Sequence, residues 1–240
     1  MTRSIFSQTF SLHFPKMRRS ITIASLFLLI SHFSYAQLIT EPIVTSKDGY
    51  QLKFTNNSPD FSTALRAKMI ATFFQVYPQL VNTFNKKAAK EVTFNIDTAF
   101  KGVAGAGGGQ VVFNPDWFKK HPGDIDVVTH EVMHIVQDYG NTNGPGWLTE
   151  GIADYVRFKF GVDNQGANWS LPVFKPTQHY DNAYRITARF LNWMEVNGNQ
   201  GIVVKLDSAM RSNTYKESIW KELSGKTIDE LWASYAANPG

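Results

Sequence analysis

The feature that most constrains the fold is the segment His130-Glu-Val-Met-His134, in which two histidines lie four residues apart and a glutamate follows the first. In an α-helix, four residues turn through about 400°, so both imidazoles lie on one face, about 6 Å apart along the axis. A helix of this kind presents two nitrogen ligands to one Zn²⁺. Glu131 lies about 100° around the helix from His130, where its carboxylate can deprotonate a water held by the metal. The segment therefore predicts both a zinc site and a hydrolytic reaction.

The residues around this motif distinguish a buried helix from a solvent-exposed one. Six apolar side chains surround it: Val127, Val128, Val132, Met133, Ile135 and Val136. A surface helix that carries two histidines by chance would be more polar than this. Unpaired imidazoles and a carboxylate are costly inside an apolar element, and a bound metal removes that cost. The pattern favours a buried metal-binding helix, with the surface helix as the alternative.

The third zinc ligand is expected in the next helix, because catalytic zinc usually takes three protein ligands and one water. A turn-rich stretch at residues 144–147 precedes a second helical pattern, which should return antiparallel to the first. Going from Glu150 to Asp154 is one turn, and so is going from His134 back to His130. Glu150 then lies level with His134, and Asp154 lies level with His130. We predict that Glu150 binds the metal and that Asp154 accepts the Nδ1 proton of His130.

Three alternatives for these two carboxylates stay open. Glu150 can be a first-turn carboxylate that only complements the helix dipole. Asp154 can form a salt bridge with Arg157 or Arg185 instead of supporting a ligand. The two roles can also be exchanged, with Asp154 on the metal and Glu150 away from it.

Charge excludes two classes of partner. The formal net charge is +4, and the first 36 residues contain four basic residues and no acidic one: Arg3, Lys16, Arg18 and Arg19. Removing these four from the 24 lysines and arginines leaves 20, which balances the 20 acidic residues. Proteins that bind nucleic acid or acidic membranes usually carry a basic surface. We therefore predict neither partner, and expect a peptide or protein substrate instead.

The first 36 residues have the order of a secretory signal. A basic start at Met17-Arg-Arg precedes an apolar run at residues 21–33 and small residues at Ser34 and Ala36. We predict translation from Met17 and cleavage after Ala36; the apolar run is short for a retained membrane anchor, which is the alternative. The chain has no cysteine, so disulfides and a lipid-modified cysteine are excluded. We expect a secreted or periplasmic monomer without a stable membrane anchor, in which residues 37–240 form one domain.

Hydrophobic periodicity divides residues 37–240 into a sheet-forming half and a helical half. Alternating or short apolar runs predict strands at residues 50–56, 92–97 and 111–114. A long helix should follow Ser58 and reach Phe84, interrupted or kinked at Pro78. Later helices are predicted at about 148–160, 181–197, 201–212, 215–223 and 227–236. We predict an α+β fold, a small mixed sheet followed by a helical lobe, with the metal-binding helix at the cleft between them.

Three separated segments resemble a known family. The stretch Trp147-Leu-Thr-Glu-Gly-Ile-Ala-Asp-Tyr155 after the histidine motif is similar to the gluzincin metallopeptidases. Together with the segments Tyr184–Leu191 and Gly225–Trp232, it resembles the basic secretory protein family of plants and bacteria over about residues 50–236. The resemblance implies a secreted, zincin-like zinc peptidase with Glu150 as the third ligand. Residues 37–240 depart from the family in not being basic.

The predicted reaction is peptide-bond hydrolysis with Glu131 as the general base. The oxyanion that forms needs a hydrogen-bond donor besides the metal, and we predict Tyr184 for this role, with Tyr180 and His179 as substitutes. Tyr184 can instead be a core residue, as aromatic side chains at helical spacing often are. A secreted zincin-fold binding protein without catalytic turnover is the alternative function, although Glu131 has no use in a purely structural zinc site.

The glycine-rich run Gly107-Gly-Gly-Gln-Val-Val-Phe-Asn114 suggests how a substrate binds. Glycines allow close backbone approach, so we predict an edge strand to which an extended peptide adds as a further strand. An ordinary flexible loop is the alternative. The run lacks the lysine pattern of a phosphate-binding loop, so a nucleotide site is not predicted.

Overall fold

The structure is a computed structural model that describes residues 41–240. Five strands form one sheet: β1 (Ile43–Lys47), β2 (Tyr50–Asn56), β3 (Glu91–Ile96), β4 (Ala104–Gly107) and β5 (Gln110–Phe113). Their spatial order is β1-β2-β3-β5-β4, in which β2, β3 and β5 are parallel and the two edge strands are antiparallel to their neighbours. The expected signal segment, with its start at Met17 and cleavage after Ala36, lies outside the described residues.

Helices dominate the second half of the chain, which confirms the predicted α+β class. The helices are α1 (Thr63–Thr83), α2 (Pro115–Lys120), α3 (Val127–Gln137), α4 (Gly146–Phe160), α5 (Tyr184–Val196), α6 (Ile202–Arg211), α7 (Ile219–Ser224) and α8 (Ile228–Ala237), with a 3₁₀ turn at Tyr180–Asn182. Within the described residues, none of them combines the length and the apolar character needed to cross a membrane.

Three predicted helices differ from those observed. The long helix α1 continues through Pro78 without a break. The helix predicted from residue 181 begins at Tyr184. Ala183 before it and Tyr184 itself have φ values of 63° and 49°, so a regular right-handed helix cannot extend back through them. The helix predicted from residue 215 begins at Ile219, and the carbonyl of Tyr215 instead accepts a hydrogen bond from the Asn143 side chain at 3.0 Å.

The glycine-rich run forms a β-hairpin rather than a single edge strand or a flexible loop. Gly108 and Gly109, with φ values of 55° and 77°, make the two-residue turn between β4 and β5. The prediction that Gly107–Asn114 is itself the edge was wrong, because β5 lies between β3 and β4. The edge strand at this end of the sheet is β4. Its sequence Ala-Gly-Ala-Gly lacks the β-branched residues that identify strands.

Aromatic side chains fill the space between α1 and the sheet. Phe73 stacks on Tyr77 with ring centroids 4.8 Å apart, and meets Phe94 edge-on at 5.6 Å. Phe113 on β5 continues this core and is fully buried like the other three. Full burial of each such ring stabilises the fold by about 1.5 to 3 kcal/mol. This core fixes α1 against the sheet, and α3 in turn packs against both α1 and β4.

Candidate metal centre

The structure brings His130, His134 and Glu150 together at the junction of α3 and α4. The two histidine Nε2 atoms are 3.3 Å apart, and Oε2 of Glu150 lies 3.3 Å from that of His130 and 3.6 Å from that of His134. Around a tetrahedral ion with bonds of about 2.0 to 2.1 Å, neighbouring ligand atoms stand about 3.3 to 3.4 Å apart. The three atoms therefore have the spacing of one face of a tetrahedral zinc site.

Two further side chains fix the orientation of the imidazoles. Nδ1 of His130 lies 2.7 Å from Oδ1 of Asp154, which can only accept when ionised. Nδ1 of His134 lies 2.6 Å from Oε1 of Gln137. The Gln137 amide nitrogen donates to the carbonyl of Thr149 at 2.9 Å, so its oxygen is left to accept from the imidazole. Both rings thus hold a proton on Nδ1 and turn Nε2 toward the position that a metal would share with Glu150.

Gln137 is the site residue that sequence reasoning missed. It lies three residues after His134, on the same face of α3, and is almost completely buried. The sequence shows a glutamine one turn beyond a metal ligand, and this spacing could have identified it. Its support of His134, however, depends on a hydrogen bond to the Thr149 carbonyl of another helix. Asp154, by contrast, does not pair with Arg157, because the Arg157 guanidinium forms an ion pair with Asp124.

The electrostatics of the three residues are those of a cation site. Burial lowers the pKa of His130, but hydrogen bonds to Asp154 and Glu150 outweigh it and raise the pKa to about 10. Burial raises the pKa of Glu150, and hydrogen bonds to His130 and His134 more than reverse this, to about 2. Glu150 is therefore an anion at neutral pH. Without a metal, the site attracts a proton; two neutral imidazoles and a carboxylate suit a divalent cation equally well.

Glu131 lies beside the three ligand residues and contributes no atom to their group. Its side chain is buried but borders the cleft that holds the site. Burial raises its pKa, and the nearby His130 and His134 offset this only in part. A raised pKa makes a carboxylate a better proton acceptor, which suits a general base.

Gly151 explains how α5 reaches the site. A Cβ at this position would lie 2.2 Å from Cγ2 of Thr187, so only glycine lets α5 approach α4 this closely, directly after Glu150. The approach places Tyr184, at the start of α5, with its ring nearly parallel to that of His130 and 6.3 Å away. Tyr184 is 54% exposed and borders the cleft, so the alternative that it is a core residue is wrong.

The hydroxyl of Tyr184 lies in a negative field. Its pKa is raised, first by the charge of Glu150 and then by burial. The two substitutes considered for its role have other contacts. Tyr180 donates its hydroxyl to Asp229 at 3.1 Å, and His179 pairs with Asp181 at 2.8 Å. Neither borders the cleft around the metal site.

The site opens into one large cleft with a volume of about 1540 Å³. One side is a continuous stretch of backbone, residues 103–109, which contains β4 and the glycine turn. Because β4 is an edge strand with small side chains, its unpaired N–H and C=O groups are accessible from the cleft. Tyr184 and Arg185 also border the cleft. An extended chain can therefore lie between the edge of β4 and the metal site.

A comparison with solved structures finds similar chains at low sequence identity. Legionella pneumophila aminopeptidase A in complex with aspartic acid is 15% identical, with a TM-score of 0.54, over 80% of this chain and 27% of that one. An aminopeptidase N family protein from Idiomarina loihiensis is 9% identical, with a TM-score of 0.49, over 80% of this chain and 46% of that one. A two-domain M1 zinc metallopeptidase bound to L-tryptophan is 14% identical, with a TM-score of 0.42, over 82% of this chain and 48% of that one. This chain thus spans less than half of each.

The sequence itself also matches a family. A comparison with curated proteins finds no match. The family described as "BSP: Peptidase of plants and bacteria" matches residues 45–235, which include the metal centre, the cleft and every strand except the first residues of β1. The resemblance inferred from the three sequence motifs is thereby confirmed. The chain belongs to this family of peptidases of plants and bacteria.

Proposed function

We propose that the protein is a secreted, zinc-dependent peptidase. The observation that carries this proposal is the tetrahedral spacing of His130, His134 and Glu150, with the buried carboxylate of Glu131 beside them. A purely structural zinc site would have no use for that carboxylate. Membership of a peptidase family gives the reaction class. Secretion rests on the signal-like sequence of the first 36 residues.

The side chains have distinct tasks in this reaction. A bound zinc ion supplies Lewis acidity, which lowers the pKa of water and polarises the substrate carbonyl. Glu131 accepts the proton of the attacking water and returns it to the leaving amine. The Tyr184 hydroxyl donates a hydrogen bond to the oxyanion. The edge of β4 binds the substrate backbone as an added strand, which holds the scissile bond beside the ligand residues.

The first experiment separates metal binding from turnover. Purified protein is expected to contain one zinc and to cleave a mixed peptide library, read by mass spectrometry. Glu131→Gln should keep the zinc and lose cleavage, because the amide cannot accept the proton. Stoichiometric zinc without hydrolysis of any peptide would support the alternative, a zincin-fold binding protein. Absence of zinc after careful preparation would contradict both functions.

A second variant tests the oxyanion donor. Tyr184→Phe keeps the ring beside His130 and removes the hydroxyl. Loss of an oxyanion donor typically lowers kcat by about 10²- to 10³-fold. Zinc content and KM should change little, since the phenol makes no contact with the ligand atoms. Tyr180→Phe is the matched control, and an equal loss in that variant would assign the role to Tyr180 or to neither.

A further inference from the structure

Two indole rings border the cleft that holds the metal centre. Trp117 belongs to α2 and Trp169 to the segment after α4, and both are half-buried. They line the same cleft as His130 and Glu131. Most of the β4 side of this cleft consists of glycine and alanine. Large aromatic surfaces in such a cleft are where a bound side chain gains most of its binding energy.

One buried ion pair holds both rings in place. Trp117 donates its indole N–H to Oδ2 of Asp124 at 2.9 Å, and the guanidinium of Arg157 pairs with Oδ1 of the same carboxylate. The guanidinium also lies over the Trp169 ring, 4.5 Å from its centroid. Both oxygens of Asp124 are therefore engaged. Rings fixed in this way lose little conformational entropy when a ligand packs against them.

The segments that carry the two rings are joined through their backbones as well. A Cβ on Gly123 would lie 2.2 Å from the carbonyl oxygen of Gly166, so the two segments touch where only glycine fits. Asn164 accepts from Nε of Arg157 at 3.1 Å and donates to its carbonyl at 2.8 Å. The carboxylate of Asp126 accepts the backbone N–H groups of residues 162 and 163 at 2.8 and 2.6 Å. This wall is pre-formed rather than a mobile lid.

The charge of the wall decides which side chain it accepts. Asp124 and Arg157 neutralise each other, and the Asp124 carboxylate is buried with both oxygens already hydrogen-bonded. A basic side chain packed against the two rings would lose part of its hydration and gain no unpaired carboxylate from this ion pair. A phenyl, phenol or indole ring would lose nothing of this kind and would pack on the two tryptophans.

We propose that Trp117 and Trp169 form a subsite that selects an aromatic side chain of the substrate. The inference deepens the proposed peptidase function and rests on it. Trp117 and Trp169 are specificity residues, because they touch the substrate side chain and not the reacting atoms.

Cleavage of a peptide library tests the subsite during turnover. The wild type should enrich Phe, Tyr or Trp at one fixed position relative to the cut and reject Lys and Arg there. Trp169→Ala should lower kcat/KM about tenfold for an aromatic peptide and less than about threefold for the same peptide with Ala at that position. Trp193→Ala is the control, since Trp193 lies outside the cleft and bonds to the Asn238 carbonyl. An unchanged ratio in Trp169→Ala, or a basic preference in the wild type, would overturn the subsite.

A binding measurement keeps the test independent of catalysis. Zinc-loaded Glu131→Gln protein is titrated with N-acetylphenylalaninamide, N-acetylalaninamide and N-acetyllysinamide while the indole N–H resonances are followed by NMR. Only the aromatic amide should shift the resonance of Trp117, and Trp169→Leu, which preserves apolar volume if Trp169→Ala unfolds, should remove that shift. Binding without cleavage by the wild type would leave the subsite standing and refute the peptidase. Cleavage without aromatic preference, or no shift with the aromatic amide, would refute the subsite.

Discussion

The two ends of α3 are held by different kinds of interaction. At the N-terminal end the contacts are carboxylates from Asp126 and Asp154, which bind the backbone after α4 and the His130 ring. At the C-terminal end the contacts are the neutral amides of Gln137 and Asn85 and the cation of Arg211. Gln137 supports His134, and Arg211 donates to the carbonyls of Phe84 and Gln137 at 2.8 and 3.3 Å. Each end thus carries one histidine, and its hydrogen-bond partner is a carboxylate at the N-terminal end and a neutral amide at the C-terminal end.

The difference gives the two histidines different tasks. Hydrogen bonds to the carboxylates of Asp154 and Glu150 raise the pKa of His130 despite its burial. The neutral amide of Gln137 fixes the tautomer of His134 without adding charge. At the C-terminal end the charged groups are Arg211 and Asp207, which pair with each other and not with His134. This pair positions the helix and does not alter the basicity of the His134 ligand. The following variants test this division, beginning with the largest expected effect.

Arg211→Met should destabilise the fold most. Asp207 is fully buried and its pKa is already raised by burial, so removal of Arg211 leaves an uncompensated charge. Breaking a buried pair from one side costs about 3 to 5 kcal/mol of unfolding free energy. Urea denaturation measures this. Adding Asp207→Asn should recover part of the loss, since Tyr139 can still donate to the amide oxygen; no recovery would mean that Arg211 acts only on the helix carbonyls.

Asp154→Ala should weaken zinc binding by about 10- to 100-fold, because the His130 ring loses both its orientation and its ionised partner. Competition with a chromogenic chelator measures the affinity. Asp116→Ala, which removes an exposed carboxylate that pairs with Lys119, is the matched control and should have no effect. Retained affinity in Asp154→Ala would show that the N-terminal end does not tune the metal.

Gln137→Ala should weaken zinc binding less, by about tenfold, because a neutral acceptor contributes orientation but no charge. The same competition assay applies. Gln137→Glu sharpens the comparison: it offers His134 a charged acceptor but places that carboxylate against the Thr149 carbonyl. If Gln137→Ala costs more than Asp154→Ala, the charged partner is not the stronger support, and the proposed difference between the ends is wrong.

Zinc should stabilise the protein more as the pH rises. The pKa of His130 rises from 6.5 to about 10 on folding, so its contribution in metal-free protein is complete below pH 6.5 and is lost toward pH 10. The pKa of Glu150 falls from 4.5 to about 2, so its contribution is complete above pH 4.5 and is lost as the pH falls toward 2. Metal-free protein should therefore be most stable between about pH 4.5 and pH 6.5, where both contributions are complete.

Zinc replaces the proton on His130, so the rise in Tm on adding zinc should increase from about pH 5.5 to about pH 8. Differential scanning fluorimetry with and without zinc measures this. The increase should shrink in Asp154→Ala, which lacks the partner that raises the pKa, and should persist in Gln137→Ala. A Tm shift that is independent of pH would show that His130 carries no proton in the metal-free protein.

The predictions from sequence succeeded where one short segment contained the whole pattern. The α+β class and the helical second half follow from hydrophobic periodicity, which needs no knowledge of distant contacts. The two edge strands of the sheet, β1 and β4, were not predicted from this periodicity. β1 is almost wholly exposed, and β4 is built of alanine and glycine, so neither shows the alternation that identifies a strand. Both form because a neighbouring strand supplies hydrogen bonds.

The sequence by itself determined the family and the residues that propose the chemistry, since spacing along a helix alone puts His130, Glu131 and His134 where a metal and a base belong. Only the tertiary structure decided what lies behind and beside them. The support of His134 by Gln137 depends on the Thr149 carbonyl of α4, and the aromatic wall depends on Asp124 meeting Arg157 across the fold. Contacts between distant segments arise from packing, which leaves no periodic trace in the chain.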